Sequence, residues 1–314
     1  MNNKDVMQLV ADIGGTNVRF ACVHQDNDDL LNIANLQCED FPQLEDAIAF
    51  YLDSTAISRI NKVCLAVAGP VTQDRIALTN NPWTFSKSEL QQKLGVEVLI
   101  INDFSAQAHF LDMVKEHELE WLGSARPTGK NLRAVIGPGT GLGVAAMTAR
   151  GEVLATEGGH ISFAPVNQHE IDLLQVLWKQ HPHLSIEHLL SGPGLCNLYH
   201  ANNPDMKIDA DLTPADITTA AMSGDKKCEQ VVKDFLAILA SVAGDFAMAM
   251  GALDGVYITG GILPRITSLI DRKIFRERFV EKGQFETYCS AIPLAFINAE
   301  NPGLRGCIGA LRRS

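Results

Sequence analysis

The sequence predicts two α/β domains that resemble each other. Its 314 residues are more than one small core requires, which favours two domains. Short apolar runs alternate with segments whose apolar residues recur at helical spacing, and this alternation is typical of a mixed α/β fold. A strand, a glycine-rich turn and a second strand are predicted at 7–23 and again at 133–147. The recurrence favours an internal duplication over a chance repeat of two hairpins.

The first half of the chain begins with a predicted hairpin. The apolar runs "MQLVADI" (7–13) and "VRFACV" (18–23) are joined by too few residues for a helical crossover, so they should pair as antiparallel strands. Ser86 is the predicted N-cap and Gly95 the predicted C-cap of a short helix. The elements predicted after the hairpin are a helix over 41–56, a strand over 62–71, the capped helix over 86–95 and a strand over 96–104.

The second half repeats the strand–turn–strand pattern in "RAVIGPGTGLGVAAM" (133–147). Its most apolar segment, 235–253, carries Asp245 in the middle. This favours a buried helix over a membrane span, because a charge at the centre of a bilayer is costly. The elements predicted after the turn are helices over 170–181, 186–200 and 228–253, a strand over 255–262 followed by another helix, a strand over 292–297 and a last short helix over 303–313.

The composition argues against two classes of partner. The formal net charge is −11, and an acidic surface repels nucleic acid phosphates and anionic membranes. The first residues contain no apolar stretch of the kind a signal peptide requires. The seven cysteines are odd in number and show no metal-ligand spacing, which predicts reduced thiols in the cytoplasm and no zinc site.

The first glycine-rich turn, within "VADIGGTNVRF" (10–20), has two interpretations. Gly14–Asn17 follows a strand that ends near Asp12, and backbone N–H groups at such a turn form a concavity that binds anions. Thr16 adds a hydroxyl donor. Asp12 would repel a phosphate but is able to hold Mg²⁺ through water. The alternative is an ordinary hairpin turn with no ligand.

The second turn and a third glycine motif extend this pattern. The turn at 137–143 is followed by a strand rather than a helix, so it is not a Rossmann fingerprint, and it lacks the Gly-Lys-Ser/Thr of a Walker loop. Two such loops in one acidic chain suit a nucleotide triphosphate, which needs several neutralising donors. The glycines of "TGGI" (259–262) would let an adenine ring approach the backbone. The alternative there is a strand-to-helix turn.

A set of polar residues suggests a second ligand. Asn102 and Asp103 follow an apolar strand, at the sheet edge where ligands bind in α/β folds. Glu157 and His160 lie in "TEGGH", and Glu187 lies in "SIEHLLSG". Carboxylates and amides without nearby cations suit a neutral polyol. Taken singly, each has a structural alternative: a helix cap, a solvated glutamate or a structural histidine.

The order of these motifs resembles that of the bacterial glucokinases over nearly the whole chain. No single short motif is specific to the family, but seven matching motifs in the same order are highly specific together. The departure from the family pattern is Pro138, where a small residue is expected. No cysteine follows the Glu-x-Gly-His motif, which indicates the zinc-free branch of the superfamily. The matching motifs are "DIGGTN", "AVAGPV", "INDF", "GPGTGLG", "EGGH", "IEHLLSGPG" and "TGGI".

The resemblance implies the actin-like ATPase (ribonuclease H-like) fold, with two α/β domains and a cleft between them for ATP and glucose. The small domain would comprise residues 1–109 and 302–314, and the large domain residues 110–301. The implied reaction is ATP-dependent phosphorylation of the glucose 6-hydroxyl, the entry step of glycolysis, with Mg²⁺ and without zinc. The resemblance also implies a cytoplasmic homodimer.

The resemblance assigns roles residue by residue. Asp103 matches the general base. The sugar-binding residues would be Asn102, Asp103, Glu157, His160 and Glu187. The ATP-binding residues would be Ala11, Asp12, Ile13, Gly14, Gly15, Thr16, Asn17, Gly139, Thr140, Gly141, Gly260 and Gly261.

Three other functions remain open on the sequence alone. One is an actin-like filament protein with ATPase activity, which would not need the Asn102–Asp103 pair, Glu157, His160 and Glu187. The other two involve a sugar. The first is an ATP-dependent kinase for another hexose, such as mannose, fructose or an N-acetyl amino sugar, because residues that bind hydroxyl groups would look much alike. The second, less favoured, is a sugar-sensing protein without catalysis. A DNA-binding repressor of that kind is disfavoured by the acidic composition.

Overall fold

The computed structural model describes residues 6–55, 57, 59–78, 81, 83–206 and 211–314. These residues divide into two compact units: unit 1 contains residues up to 115 together with 299–314, and unit 2 contains residues 116–298. Two sequence predictions reach outside the described residues. They concern the N-terminal residues 1–5, where no signal peptide is expected, and Ala56 at the end of the first predicted helix.

Unit 1 contains the predicted hairpin and the strands and helices that follow it. Its strands are β1 (Met7–Ile13), β2 (Asn17–His24), β3 (Leu31–Gln37), β4 (Ile60–Val67), β5 (Arg75–Ala77), β6 (Thr84–Ser86) and β7 (Glu97–Asn102). Its helices are α1 (Leu44–Ser54), α2 (Lys87–Leu94), α3 (Asp103–Phe110) and α10 (Pro302–Leu311).

The main sheet of unit 1 has the strand order β3-β2-β1-β4-β7. β2 runs antiparallel to β1 and to β3, whereas β1, β4 and β7 are parallel. Because side chains alternate along a strand, Leu9 and Ala11 join an apolar cluster with residues of α1 and α2, while Val10 joins a second cluster with residues of α10. The sheet is therefore covered by helices on both faces.

α3 and α10 pack closely against each other in unit 1. A Cβ on Gly306 of α10 would overlap the backbone oxygen of Ala106 in α3. Gly309, one turn later, also faces α3, where a Cβ would lie 3.0 Å from the backbone oxygen of His109. Glycine at these positions therefore sets the distance between the two helices.

Unit 2 contains the second strand–turn–strand pattern and the long helix. Its strands are β8 (Leu119–Trp121), β9 (Arg133–Pro138), β10 (Leu142–Met147), β11 (Val153–Ala155), β12 (Val256–Ile258) and β13 (Leu294–Ile297). Its helices are α4 (Gln168–Leu177), α5 (Gly192–Asn202), α6 (Pro214–Met222), α7 (Lys226–Met250), α8 (Arg272–Val280) and α9 (Glu286–Ser290).

The sheet of unit 2 repeats the topology of the first sheet. Its strand order is β11-β10-β9-β12-β13-β8. β10 pairs antiparallel with β9 and β11, and β9, β12 and β13 are parallel, so the first five strands match those of unit 1 in order and direction. β8 adds an antiparallel edge strand. The shared topology supports the internal duplication predicted from the two hairpins.

Several predicted elements are confirmed in detail and others need correction. Ser86 caps α2 by accepting from the Glu89 N–H at 3.2 Å, and Gly95 ends the helix with φ 65°. The single helix predicted over 186–200 is wrong. The chain instead forms a 3₁₀ turn at Ile186–His188 and starts α5 afresh, because the Ser191 hydroxyl caps the new helix at the Gly194 N–H.

The long apolar helix α7 is buried along most of its length, but Asp245 is not. Its side chain is 53% exposed and its carboxylate lies 2.7 Å from the Lys282 ammonium group. The charge is therefore tolerated because it faces solvent and a cation. Among the helices in the described part of the chain, none is long and apolar enough to cross a lipid bilayer.

We predict that Gly306→Ala destabilises unit 1. The added methyl group forces α3 and α10 apart, and overpacking costs about 1–3 kcal/mol even where alanine favours a helix. Urea unfolding followed by circular dichroism measures the loss. Gly309→Ala is the matched control in the same helix, with a smaller expected loss because its methyl group has more room. A Gly306→Ala variant as stable as the parent would show that the helices separate at no cost.

Candidate active site

The first glycine loop connects β1 to β2 in unit 1. It is closed by a hydrogen bond from the Gly14 N–H to the Asn17 carbonyl at 2.9 Å. The Thr16 hydroxyl is exposed and accepts from the Asn17 amide at 2.8 Å, so its own proton is left to donate. The side chains of Ala11 and Ile13 are buried in the sheet. A ligand could therefore meet those two residues only through their backbone.

Asp12 lies just before this loop, opposite Arg19 on β2. A Cβ on Gly303, at the start of α10, would lie 2.5 Å from Asp12 Oδ2, so the carboxylate rests against the beginning of that helix. Burial raises the pKa of the Asp12 carboxyl, and the positive charge of Arg19 lowers it in part. A cation beside it would favour the ionised form.

Asn102 and Asp103 lie at the junction of β7 and α3. The Asn102 side chain caps the helix: Oδ1 accepts from the Phe104 N–H at 2.9 Å and from the Ser105 N–H at 3.2 Å. Its amide nitrogen donates to the Gly69 carbonyl at 3.3 Å. The helix cap considered from the sequence is therefore present. Asp103 occupies the first helical residue, where the helix N-terminus stabilises a carboxylate.

The second glycine loop connects β9 to β10 in unit 2. The Gly139 N–H donates to the Gly141 carbonyl at 2.8 Å, and the Gly139 carbonyl accepts from the Gly192 N–H at 2.8 Å. Pro138 is the last residue of β9 and pairs with Leu142. The departure from the family pattern at Pro138 therefore leaves the hairpin intact.

Glu157, His160 and Glu187 come together in unit 2. His160 lies between the two carboxylates, with Nε2 4.0 Å from Glu157 Oε2 and Nδ1 4.0 Å from Glu187 Oε1. Two backbone hydrogen bonds join the segment that carries Glu157 and His160 to the segment that carries Glu187. The Phe163 N–H donates to the Leu184 carbonyl, and the Ile186 N–H donates to the Ile161 carbonyl. These side chains are 31–67% exposed, and their oxygen and nitrogen atoms suit the hydroxyl groups of a polar ligand.

The same cluster touches the second glycine loop. Glu187 Oε2 accepts from the Leu142 N–H at 2.8 Å. A Cβ on Gly159, within the Glu-x-Gly-His turn, would overlap the Leu142 carbonyl oxygen. Sequence reasoning identified Gly159 and Glu187 as parts of motifs but did not identify Leu142 or Gly192 as site residues. The double glycine of "EGGH" and the glycine of "SGPG" are the signals for this close approach.

The "TGGI" turn follows β12 at the same edge of the unit 2 sheet. Gly260 has φ 104°, and a Cβ on it would overlap the Pro138 carbonyl oxygen, so the turn lies directly on the end of β9. A pocket that is partly open to solvent adjoins this turn. Thr259, Gly260, Phe296 and Asn298 are among its lining residues.

Comparison with known proteins identifies the family. The sequence model of the family described as glucokinase matches residues 9–314, nearly the whole chain.

The chain belongs to the glucokinase family.

Among relatives of this glucokinase-family chain, the glucokinase of Chromohalobacter salexigens is 42% identical and aligns over 96% of this chain and 97% of its own length. A crystal structure of a glucokinase from an Antarctic psychrotroph superposes with a TM-score of 0.85 at 37% identity, covering 98% of this chain and 99% of that one. A ROK family glucokinase from Streptomyces griseus, solved with glucose and AMPPNP, shares the fold at a TM-score of 0.67 and 19% identity, covering 98% of this chain and 100% of that one. The fold is the actin-like ATPase fold that the sequence motifs implied.

Asp12 is the one residue that the sequence predicts to hold a metal ion. Among the described residues, no group of three or more histidine, cysteine, aspartate and glutamate side chains is arranged to hold a metal ion. Mg²⁺ does not need such a cage, because it keeps several waters and binds through one or two carboxylates together with substrate phosphates. The Asp12 carboxylate beside the first glycine loop fits that mode of binding in its ionised form, and a bound cation would favour that form against the burial that raises its pKa.

We predict that Asn102→Ala lowers the free energy of unfolding by about 1 kcal/mol, since the start of α3 loses its cap. Chemical denaturation measures the change. Asn102→Asp is the matched control, because aspartate caps a helix about as well as asparagine. If Asn102→Ala unfolds at the same denaturant concentration as the parent, the cap contributes nothing to stability.

Proposed function

We propose that this protein is a glucokinase, which transfers the γ-phosphoryl group of ATP to the 6-hydroxyl of D-glucose. The observation that carries the proposal is the contact within unit 2 between a polyol-type cluster and a glycine loop: Glu187 lies beside His160 and also accepts from the Leu142 N–H. Relatives named glucokinase that match over nearly the full length support the same activity.

Each residue set has a separate task. The glycine loops Gly14–Asn17 and Gly139–Gly141 bind the phosphates of ATP, since amides at such turns form anion sites. The N–H groups of Gly14 and Gly139 already donate within their own loops, so the phosphates bind to the other backbone N–H groups. The adenine ring lies against Gly260 and Gly261, beside the pocket that Thr259 and Phe296 help to line. The hydroxyl groups of the sugar bind to the side chains of Asn102, Asp103, Glu157, His160 and Glu187.

Asp103 acts as the general base. It accepts the proton of the 6-hydroxyl as that oxygen forms a bond to the γ-phosphorus and the bond to the ADP oxygen breaks. Its place at the first residue of α3 puts the carboxylate where the helix N-terminus stabilises a negative charge, and the Phe104 N–H, 2.9 Å from Oδ1, fixes its direction. Phosphoryl transfer depends mainly on positioning and charge neutralisation, so the base supplies only part of the rate.

Asp12 is the residue that would hold Mg²⁺ through water, and the ion would neutralise charge on the phosphates of the nucleotide. We also propose that the protein is a cytoplasmic homodimer that acts at the entry of glycolysis, as the family resemblance implies. The cysteines Cys22, Cys38, Cys64, Cys196, Cys228, Cys289 and Cys307 are free thiols, which supports a reducing compartment.

A hexose panel with ATP tests the substrate. ADP release should be strictly dependent on sugar, with kcat/KM for glucose at least about tenfold above that for mannose, fructose and N-acetylglucosamine, because the site is built to hydrogen-bond particular hydroxyl groups. A higher kcat/KM for another hexose would favour the alternative kinase. Sugar binding without ADP release would favour a sugar-sensing protein.

We predict that Asp103→Asn lowers kcat by at least about 100-fold, because general base catalysis contributes roughly 10²–10⁴ to the rate. Asparagine retains the shape of the side chain and an acceptor for the Phe104 N–H, so the affinities for glucose and ATP should change by less than about threefold. Steady-state kinetics and calorimetry measure both quantities. A kcat within about tenfold of the parent would remove Asp103 from the role of base.

A further inference from the structure

The two oxygens of the Glu187 carboxylate have different surroundings. Oε2 accepts from the Leu142 N–H at 2.8 Å and lies 2.5 Å from the point that a Cβ on Gly141 would occupy. Oε1 lies 4.0 Å from His160 Nδ1. With 31% of its side chain exposed, Glu187 is more enclosed than His160 at 61%. One oxygen is therefore held by the glycine loop, and the other points toward the polar cluster.

The main chain at Glu187 is held separately from its side chain. The Ser191 hydroxyl donates to the Glu187 carbonyl at 2.8 Å, and the Ser185 N–H donates to His188 Nδ1 at 3.1 Å across the same turn. These contacts fix the Cα of Glu187 but not its carboxylate. The position of the carboxylate is set by the Leu142 N–H and by the space above Gly141.

We propose that Gly141 and the backbone of Leu142 position Glu187 for the sugar, so Gly141 determines sugar affinity although it lies in the loop assigned to the nucleotide. The inference rests on the proposed function in one respect, that the ligand of Glu187 is a hexose. A carboxylate with one oxygen fixed by a charge-assisted hydrogen bond presents its second oxygen in a defined direction. Gly141 is then a positioning residue for the sugar site.

A methyl group at residue 141 would disturb this arrangement directly. Contacts of a Cβ below 3.0 Å are essentially never observed, and here the distance to Glu187 Oε2 would be 2.5 Å. The carboxylate is the flexible end of a side chain, so it would move while the loop backbone stays in place. Its withdrawal breaks the hydrogen bond from the Leu142 N–H and turns Oε1 away from its direction in the native chain.

Calorimetric titration with glucose in the absence of nucleotide tests the proposal on the full chain. Gly141→Ala should raise the dissociation constant for glucose at least about tenfold, since hydrogen bonds to charged groups carry effects of that size. Gly139→Ala is the matched control in the same loop. Apart from chain neighbours, no atom of the described residues lies within 4 Å of its added Cβ, so its glucose dissociation constant should stay within about twofold of the parent, whatever happens to nucleotide binding.

The outcomes separate this proposal from the proposed function. If the parent phosphorylates glucose and Gly141→Ala binds glucose as the parent does, the positioning role is overturned and the kinase remains. Equal weakening in both alanine variants also overturns it, since the loop would then act as a whole. If the parent neither binds nor phosphorylates glucose, the proposed function fails first and this inference fails with it.

A second measurement covers the case in which Gly141→Ala does not fold. Hydrogen exchange of the Leu142 amide in the parent chain should slow by at least about threefold at saturating glucose, because an occupied Glu187 holds its hydrogen bond to that amide more persistently. Peptides from α6, which carry none of the sugar residues, serve as the internal reference. Leu142 exchange that is unchanged by saturating glucose overturns the proposal.

Discussion

The second glycine loop is held in place by close backbone contacts with neighbouring turns. These contacts require glycine, because a side chain on the neighbouring residue would prevent the close approach. Gly260 lies on the carbonyl of Pro138 and Gly159 lies on the carbonyl of Leu142, where a Cβ would overlap the oxygen in each case. The Gly192 N–H completes the set by donating to the Gly139 carbonyl at 2.8 Å. The loop is thus held by the turns that carry the "TGGI", "EGGH" and "SGPG" motifs. In a close-packed interior, such contacts transmit small displacements instead of absorbing them.

This packing explains why residues assigned to different ligands touch. Glu187 belongs to the proposed sugar-binding set, yet its carboxylate accepts from the Leu142 N–H, next to the glycine loop that is proposed to bind phosphate. In unit 1, too, one side chain has two roles. Asn102 caps α3 and so fixes the first turn of the helix that carries Asp103. A residue of this kind both stabilises the fold and shapes the site. Because one substitution then changes both stability and binding, each quantity needs its own measurement.

The sequence predicted most of the fold because its signals were local. Glycine-rich turns between apolar runs located both hairpins, and Ser86 and Gly95 marked the ends of α2 through cap geometry that depends on neighbouring residues. Prediction failed where tertiary context decided. The edge strand β3 was not predicted, because it is half exposed and lacks a continuous apolar run. The helical pattern over 186–200 gave no sign that a new helix begins after Ser191. A hydrophobic period records which face is buried, not where a hydroxyl group starts a new helix.

The sequence by itself determined the family, the duplicated α/β topology and the residue types of the candidate site, because motif order and strand pattern are properties of the chain. The tertiary structure decided which of these residues meet. The pairing of 161–163 with 184–186 brings Glu187 next to His160, and a distance of 2.8 Å joins Glu187 to Leu142. Leu142 contributes through its backbone N–H, which every residue except proline possesses, so its identity carries no signal in the sequence.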